Sequence, residues 1–419
     1  MKNDQLPQRV RVLIIGGGIH GVGILHDLAS RGWKDIHLIE KDTLGAGTSS
    51  KSTKLIHGGL RYLKRIRDFG LVTEALHERR KLMQLAPDLV HPVEMLFPVL
   101  KKGGMPGFVV KLGLWLYDLL AGRAKLHKHR RLSPVEVASK APILDMHQVR
   151  KVYSFWDGQT DDLGLVYRIA ASAQKLGAGL SEGCRAVKIR STEDGWSVDV
   201  LDSDGRMHTI STLYVINGAG PWAHQILEES GIPPVYRAIN NKGAHLLVED
   251  LGLKAALFLQ STKGDGRIFF VLPWEGYTLV GTTETLYEGN PDAMRVDDAE
   301  VKYLLDNVNE FLTRKLQQSD IKRVFAGLRW LAVEAGHNIS ETTRAYSLGE
   351  KSSRRGLLVT LYGGKLTTYR NLSKIIGDRI TRHFGDFKPS RTEDPSMWVA
   401  GHEVPRPREP LERFDPLIQ

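Results

Sequence analysis

The stretch VLIIGGGIHGVG, Val12 to Gly23, decides the fold. The apolar run Val10–Ile15 reads as a strand, Gly16–Gly18 as a turn and Ile19–Arg31 as a helix. Asp35–Glu40 then reads as a second strand, so the chain opens with a βαβ unit. Gly16-x-Gly18-x-x-Gly21 lies where the strand turns into the helix, the one context in which this spacing has a mechanism. Glycines let the backbone approach a pyrophosphate, and the helix's positive end favours its charge. Glu40 stands 22 positions beyond Gly18, at the end of the second strand, where a carboxylate can accept hydrogen bonds from ribose hydroxyls. That carboxylate would repel a 2′-phosphate, which disfavours NADP and leaves NAD and FAD.

Working outward, 419 residues with 42% hydrophobic and 25% charged side chains describe a globular chain of two or three folding units. A net charge of +10 favours anionic partners, but no nucleic-acid recognition motif accompanies it, so nucleic acid is not an expected partner. The single cysteine, Cys184, excludes an intrachain disulfide framework and Cys-rich metal or iron–sulfur sites, which fits a reducing, cytoplasmic setting. No metal site is expected. Met1–Arg9 is polar and the apolar run after it is short, unlike a signal peptide.

An amphipathic helix is expected with Leu71, Ala75, Leu82 and Leu85 on one side, Glu74, Glu78, Arg79 and Lys81 on the other, and Pro87 as its stop. Residues 105–120 are strongly apolar yet carry Lys111 and Asp118 and are too short to span a bilayer. Lys101, Lys102, Arg123, Lys125, Lys128, Arg130 and Arg131 flank them. Two readings stay open here: a helix lying on an anionic lipid surface, or a buried helix beside a solvated basic loop. Further on come a helix near Leu163–Leu176, a hairpin around Val187–Asp204, and a strand Leu213–Asn217 that ends in GAGPW. His245–Val248, Arg267–Leu272 and Thr278–Thr282 mark a separate strand-rich block. Strand Leu357–Tyr362 leads into GGKLTT at Gly363–Thr368 and a helix to about Phe384, so distant sequence completes the first sheet.

The fold class is therefore α/β and α+β, with a discontinuous Rossmann-like dinucleotide domain (8–80, 150–232 and 321–387) and a β-sheet-containing substrate or membrane-facing domain (81–149 and 233–320). Six of the 18 prolines lie after Lys388, and residues 388–419 are expected to be an extended or disordered tail.

The loop Gly47–Ser50 through Lys54–Tyr62 supplies hydroxyls, basic groups and amides beyond the needs of an NAD site. With Gly363–Arg370, it resembles the FAD-dependent glycerol-3-phosphate dehydrogenases, within the wider D-amino-acid-oxidase-like flavoprotein group. The resemblance runs from Val12 to about Phe384. It rests on GGGIHGVG (Gly16–Gly23), TSSKSTKLIHGGLRYL (Thr48–Leu63), EALHER (Glu74–Arg79), NGAGPW (Asn217–Trp222), FVLPW (Phe270–Trp274), GTTE (Gly281–Glu284) and GGKLTTYR (Gly363–Arg370).

The resemblance implies non-covalent FAD on Gly16, Gly18, Ile19, His20, Glu40, Lys41, Thr48, Ser49, Ser50, Lys54, Leu55, Ile56, His57, Ala186, Gly218, Ala219, Gly220, Trp222, Gly364, Lys365, Leu366 and Thr367. The Gly363–Thr367 turn and Lys365 would put positive charge at the flavin N1/C2=O edge and favour its anionic reduced form. Arg61, Arg329 and Lys365 stand at family positions for binding a phosphate, and Tyr62 and Thr367 would be hydroxyl partners of substrate or flavin. His57 and His245 match active-site histidines that could take the 2-hydroxyl proton as hydride leaves C2 for flavin N5.

The implied reaction oxidises sn-glycerol 3-phosphate to dihydroxyacetone phosphate and passes electrons to a quinone. An anionic membrane surface on the inner face of the cytoplasmic membrane and a homodimeric copy are further expected partners. The rival readings are an oxidase or dehydrogenase of another hydroxy or amino acid, using oxygen, and a flavin-binding relative without activity. Several cations favour a phosphate over the single arginine an amino-acid site needs.

Three departures stand out. Trp330 replaces a proline beside Arg329 and is expected to reshape the pocket. Asp161-Asp162-Leu163-Gly164-Leu165 lacks an arginine that the family carries. The family's helical C-terminal domain is expected to be absent, because the sequence stops after the proline-rich stretch.

Overall fold

The computed structural model describes residues 5–64, 66–102, 104–333, 346–401, 404 and 414–415. Its strands in chain order are β1 (Arg9–Ile15), β2 (Ile36–Ile39), β3 (Leu55–Ile56), β4 (Val90–Leu100), β5 (Arg130–Arg131), β6 (Val149–Thr160), β7 (Gly179–Ser181), β8 (Arg185–Thr192), β9 (Gly195–Leu201), β10 (Met207–Asn217), β11 (Arg237–Glu249), β12 (Ala256–Gln260), β13 (Ile268–Trp274), β14 (Tyr277–Gly281), β15 (Thr285–Tyr287), β16 (Ile321–Val333), β17 (Ser347–Ser352) and β18 (Leu357–Tyr362). The helices are α1 (Ile19–Ser30), α2 (Phe69–Leu85), α3 (Gly107–Ala121), α4 (Pro134–Lys140), α5 (Asp162–Lys175), α6 (Ala223–Glu229), α7 (Asp298–Asn309) and α8 (Tyr369–His383).

One sheet has the order β17-β18-β10-β1-β2-β7, with β9 joined to β10 and β8 to β9. Its strands β18, β10, β1, β2 and β7 run parallel. Parallel strands are covered on both faces and therefore read as continuous apolar runs, as Val12–Ile15 and Ile36–Ile39 do. Val22 and Leu25 of α1, Leu165 and Ile169 of α5, and Leu372 and Ile376 of α8 cover one face. The β8–β9 hairpin and Ile226 and Leu227 of α6 cover the other. This is a mixed, discontinuous Rossmann-like fold.

The second sheet has the order β15-β11-β14-β13-β12-β4-β6-β3, with β16 on β11 and β5 on β6. Three of its strands, the short β3 and the long β6 and β16, fall within stretches that the sequence reading placed in the dinucleotide unit. The reason is non-local: β6 pairs antiparallel with β4 from Val90↔Thr160 to Leu100↔Val149, and β16 with β11 from Arg237↔Val333 to Val248↔Ile321. Nothing in the local periodicity of either strand announces its partner.

Two further expectations are corrected. Glu78 and Arg79 of α2, expected on a solvated face, are buried because each finds an opposite charge: Glu78 pairs with Arg370 at 2.6 Å and Arg79 with Asp157 at 2.8 Å. The stretch expected to be an extended or disordered tail is packed where described. Trp398 is buried edge-on to His26 and donates to the Thr392 carbonyl at 3.0 Å, while Glu393 pairs with Arg370 and Lys81. Phe414 is buried and stacks on Phe325 at 4.0 Å. Anchors of this kind outweigh a high proline content. Apart from Val404, Phe414 and Asp415, residues 402–419 lie outside the described residues.

Helix α3, over residues 107–121, has two apolar faces. Val110, Leu114, Tyr117 and Ala121 are buried, whereas Phe108, Leu112, Trp115 and Leu119 are 75%, 59%, 54% and 58% exposed. Among the described residues, no helix is long and apolar enough to cross a membrane.

Candidate active site

A long cleft runs between the two sheets, from the end of β2 to the turn after β18. At its first end, Gly16 adopts φ +103°, and a Cβ there would lie 2.7 Å from the Gly218 carbonyl oxygen. A Cβ on Gly21 would sit 1.9 Å from the Gly16 oxygen, so only glycine lets α1 start this close to the turn. No side chain of the helix's own cap closes its N-terminus; the Ile19 amide donates to Ser49 Oγ at 2.9 Å. Glu40 accepts from the amides of Gly17 and Asp42 at 2.5 and 2.9 Å, and burial raises its pKa. Asp292 accepts from Lys41 Nζ at 2.5 Å and Trp222 Nε1 at 2.9 Å, with the Lys41 ammonium 4.3 Å from the Trp222 ring centre.

The loop after β2 lines the cleft through Thr48, Ser49, Thr53, Leu55 and His57. Ser50, Lys54 and Ile56, expected on the cofactor, are buried behind that wall instead. A desolvated ammonium needs an answering charge, and Lys54 Nζ finds one in Asp162 at 2.7 Å, with the Ser50 carbonyl also at 2.7 Å. The aspartate that the sequence reading noted for a missing arginine thus anchors this loop.

The other end of the cleft is built by register. On β11, Asn241, Gly243 and His245 alternate onto one face, directly opposite Arg329, Gly327 and Phe325 of β16. Arg329 donates to Asn241 Oδ1 at 3.0 Å and Thr282 Oγ1 at 2.9 Å. A Cβ on Gly243 would lie 2.4 Å from the guanidinium, so glycine clears its seat. Trp330, one residue on, points the other way. Its ring stacks on Tyr362 at 5.9 Å and meets His224 edge-on at 4.5 Å, so packing fixes the indole, and the residue still contributes to the cleft lining.

His245 stacks on Phe325 at 4.8 Å and shares a 2.9 Å hydrogen bond between Nε2 and Thr53 Oγ1, while Nδ1 is buried without a partner. Burial, then Arg329 and Lys54, hold its pKa well below the usual value. Burial, then Lys365 and Arg61, push His57 down to about 3. Both imidazoles are neutral at ordinary pH and can accept a proton. Arg61 pairs with Glu284 at 3.3 Å and donates to the Tyr62 hydroxyl at 3.2 Å. Lys365 lies over the Tyr62 ring at 4.1 Å, and burial followed by Arg61 lowers its pKa to about 8. Thr367, expected to face substrate or flavin, lines the cleft, and its hydroxyl bonds the His57 backbone.

The cleft thus brings together His57, Arg61, Tyr62, His245, Arg329 and Lys365 from remote parts of the chain. It also gathers Gly16, Gly18, Ile19, His20, Glu40, Lys41, Ala186, Gly218, Ala219, Gly220, Trp222, Gly364 and Leu366. Sequence reasoning missed Thr53, Asn241, Asp157 and Asp292. Thr53 lies inside a quoted motif, Asn241 and Asp157 needed the strand pairing, and Asp292 sits on the single turn Pro291–Ala293 that only the fold brings to Lys41 and Trp222.

These residues fit a dinucleotide. The start of α1 has no side-chain cap of its own beyond the Ser49 contact, and His20 Nδ1 is buried in the cleft wall without a partner. Gly363 and Gly364 have φ of +71° and +91°, and a Cβ on Gly364 would strike the His20 ring at 2.5 Å.

Residues 11–370 match the DAO family, FAD dependent oxidoreductase. The chain belongs to that family. This flavoprotein is 36% identical over 371 residues to D-erythritol 1-phosphate dehydrogenase of Brucella abortus (strain 2308), covering 88% of this chain and 73% of that one. It is 32% identical over 388 residues to aerobic glycerol-3-phosphate dehydrogenase of Escherichia coli (strain K12), covering 91% and 75%. Its fold superposes on the glycerol-3-phosphate dehydrogenase from Bacillus halodurans complexed with FAD, with a TM-score of 0.74 and 26% identity over 94% of this chain and 69% of that one. The flavoprotein is therefore an FAD-dependent oxidoreductase, as its sequence motifs imply.

Proposed function

We propose that the protein oxidises the secondary alcohol of a phosphorylated polyol, sn-glycerol 3-phosphate, at C2 to give dihydroxyacetone phosphate. The observation that carries this reading is the convergence of Arg61, Arg329 and Lys365 on the same end of the cleft as two neutral imidazoles. Three cations suit a phosphate dianion better than they suit a lone carboxylate. Arg329, held by Asn241 and Thr282, is fixed before substrate arrives. Arg61 is free to exchange its 3.3 Å partner Glu284 for phosphate oxygens. The neutral imidazole of His57 takes the 2-hydroxyl proton, with His245, also neutral, as the second histidine of the cleft.

The cofactor would be held without a covalent bond, the pyrophosphate by the Gly16–Gly21 turn and Ser49, the adenosine by Glu40, Ala186 and Trp222, and the flavin end by the Gly363–Leu366 turn. Bound FAD supplies the hydride acceptor. A quinone as the final acceptor and attachment to the inner face of an anionic membrane belong to the same reading. The exposed stripe Phe108, Leu112, Trp115 and Leu119, between clusters of lysine and arginine, supports it.

The likeness to D-erythritol 1-phosphate dehydrogenase favours a second reading, in which the substrate is a longer polyol phosphate. Anaerobic mixing with glycerol 3-phosphate, erythritol 1-phosphate, glycerol and amino acids, followed at the flavin absorbance band, separates these. Bleaching by glycerol 3-phosphate and not by glycerol or amino acids is the expected result. Faster bleaching by the four-carbon phosphate would transfer the assignment to it, and bleaching by an amino acid alone would end the phosphate reading.

A further inference from the structure

At the wall of the cleft, which Asp157 helps to line, lies a buried polar cluster that the chemistry above does not use. Asp157 of β6 is 3% exposed, Tyr117 of α3 is 2% and Arg79 of α2 is 1%. A carboxylate and a guanidinium at this depth are costly unless answered, and here every polar atom of the pair except Arg79 Nε has a partner. Asp157 Oδ1 accepts from Arg79 Nη1 at 2.8 Å, from the Tyr117 hydroxyl at 2.8 Å and from the Gly58 amide at 3.1 Å. Arg79 also donates to the carbonyls of Trp156 at 2.9 Å and Ala124 at 3.1 Å. The Tyr117 hydroxyl accepts from the same Gly58 amide at 3.0 Å.

Residue 58 is glycine for this reason. A Cβ there would stand 2.4 Å from the Tyr117 oxygen and 2.5 Å from Leu76. The next residue, Gly59, takes φ +82°, so the chain turns away immediately after the clamped amide. The clamped peptide is the one that follows His57. On its other side, His57 is held through its own amide and carbonyl by Thr367. Two elements remote in sequence, β6 and α3, therefore meet at one backbone N–H beside the proposed base, with Arg79 bracing Asp157 and Thr367 holding the His57 backbone.

We infer that Asp157, seated by Arg79 and Tyr117, is a positioning residue for His57: it fixes the Gly58 amide and through that peptide sets where the imidazole stands in the cleft. The inference rests on the proposed role of His57. Asp157 moves no proton in the reaction; its carboxylate acts only as an acceptor. Tyr117 comes from the buried face of α3, so the helix with the exposed apolar stripe also ends in this cluster.

The test uses the full-length, FAD-loaded protein and two variants, Asp157→Asn and Tyr117→Phe. The second keeps the ring and removes only the hydroxyl, so it remains informative where the first fails to fold. A displacement of the base by about 1 Å costs on the order of 100-fold in rate. The expected outcome is a 10- to 100-fold slower flavin reduction by glycerol 3-phosphate in folded, loaded variants. Affinity for dihydroxyacetone phosphate, read from the flavin difference spectrum, should change less than about 3-fold. A merely structural role would lower the melting temperature and leave that rate constant in place. A readout independent of turnover is the NMR spectrum of ¹³C-labelled histidine, with the His57 resonance assigned by its loss in His57→Asn. It should be single in the parent and shifted or split in Tyr117→Phe. Failure of every polyol phosphate to reduce the parent flavin would overturn the proposed function, and the NMR comparison would still decide the positioning. An unchanged His57 resonance, or reduction at the parental rate in both variants, would overturn the inference.

Discussion

Thr367 and His57 are tied to each other twice: the Thr367 hydroxyl accepts from the His57 amide at 3.2 Å and donates to the His57 carbonyl at 3.4 Å. Thr367 is 2% exposed, so neither bond can be replaced by bulk water. Thr367→Val should cost about 1–3 kcal/mol, the range for leaving a buried group unsatisfied. It should also slow flavin reduction, while Thr367→Ser restores both properties. Denaturant unfolding and stopped-flow absorbance check the two effects separately.

Lys365 should impose an upper pH limit on phosphate binding. Burial and Arg61 lower its pKa to about 8, so its charge is complete below that pH and is lost as pH rises through it. KM for the phosphorylated substrate should therefore rise above about pH 8, with kcat less affected. Lys365→Met should have a high KM with no such inflection. A flat KM between pH 7 and 9.5 in the parent enzyme would remove Lys365 from the phosphate site.

His57 predicts the opposite kind of silence. With its pKa pushed to about 3 by burial and by Lys365 and Arg61, it stays neutral across the working range. The acid limb of kcat should accordingly lie well below pH 6, the range of an ordinary histidine. His57→Asn should retain FAD and lose about 10²–10⁴-fold in the rate of flavin reduction, the usual worth of a positioned base. A pH–rate profile and single-turnover reduction test both statements.

The stripe on α3 makes a prediction that leaves the cleft alone. Leu112 and Trp115 are 59% and 54% exposed, so Leu112→Glu with Trp115→Glu should leave the fold and flavin reduction unchanged. The pair should abolish flotation with anionic vesicles, which high salt should weaken in the parent. Equal flotation of parent and variant would leave the stripe without a lipid role.

Lys54 and Asp162 form an ion pair with both side chains at most 1% exposed. Removing one partner strands a buried charge, typically at a cost of about 3–5 kcal/mol. Lys54→Met should reduce stability by that order and loosen the loop carrying Ser49 and His57. Replacing both residues by apolar ones should recover much of the loss. Chemical denaturation of the single and double variants measures the difference.

The dinucleotide half of the fold is legible in sequence because its determinants are local. A strand of branched aliphatics, glycines at turn spacing and a terminal carboxylate all lie within Val10–Glu40, and β1, α1 and β2 fall within a residue or two of that reading. The substrate end is legible as a set of residue types but not as a geometry. Arg329 acquires its partners only because β16 lies beside β11 in the register that sets Asn241 opposite it, a pairing between residues 88 apart. Thr367 shows the same limit from the other side: its motif marks it as important, but only the fold reveals that its hydroxyl serves a backbone. Lys54 was drawn to the cofactor by its motif and is instead neutralised by Asp162, an acid 108 positions away.

The order in which the parallel sheet is completed has a consequence for the chain as it is made. β1 forms the middle of that sheet, yet its neighbour β10 begins at Met207, and the strand beyond, β18, begins at Leu357. At a synthesis rate of roughly 5–20 residues per second, the Val12–Ile15 strand waits about ten seconds or more for its first long-range partner. During that interval a wholly apolar edge stands open on the ribosome, so newborn chains should depend heavily on chaperones and yield more soluble protein when chaperones are supplied in excess.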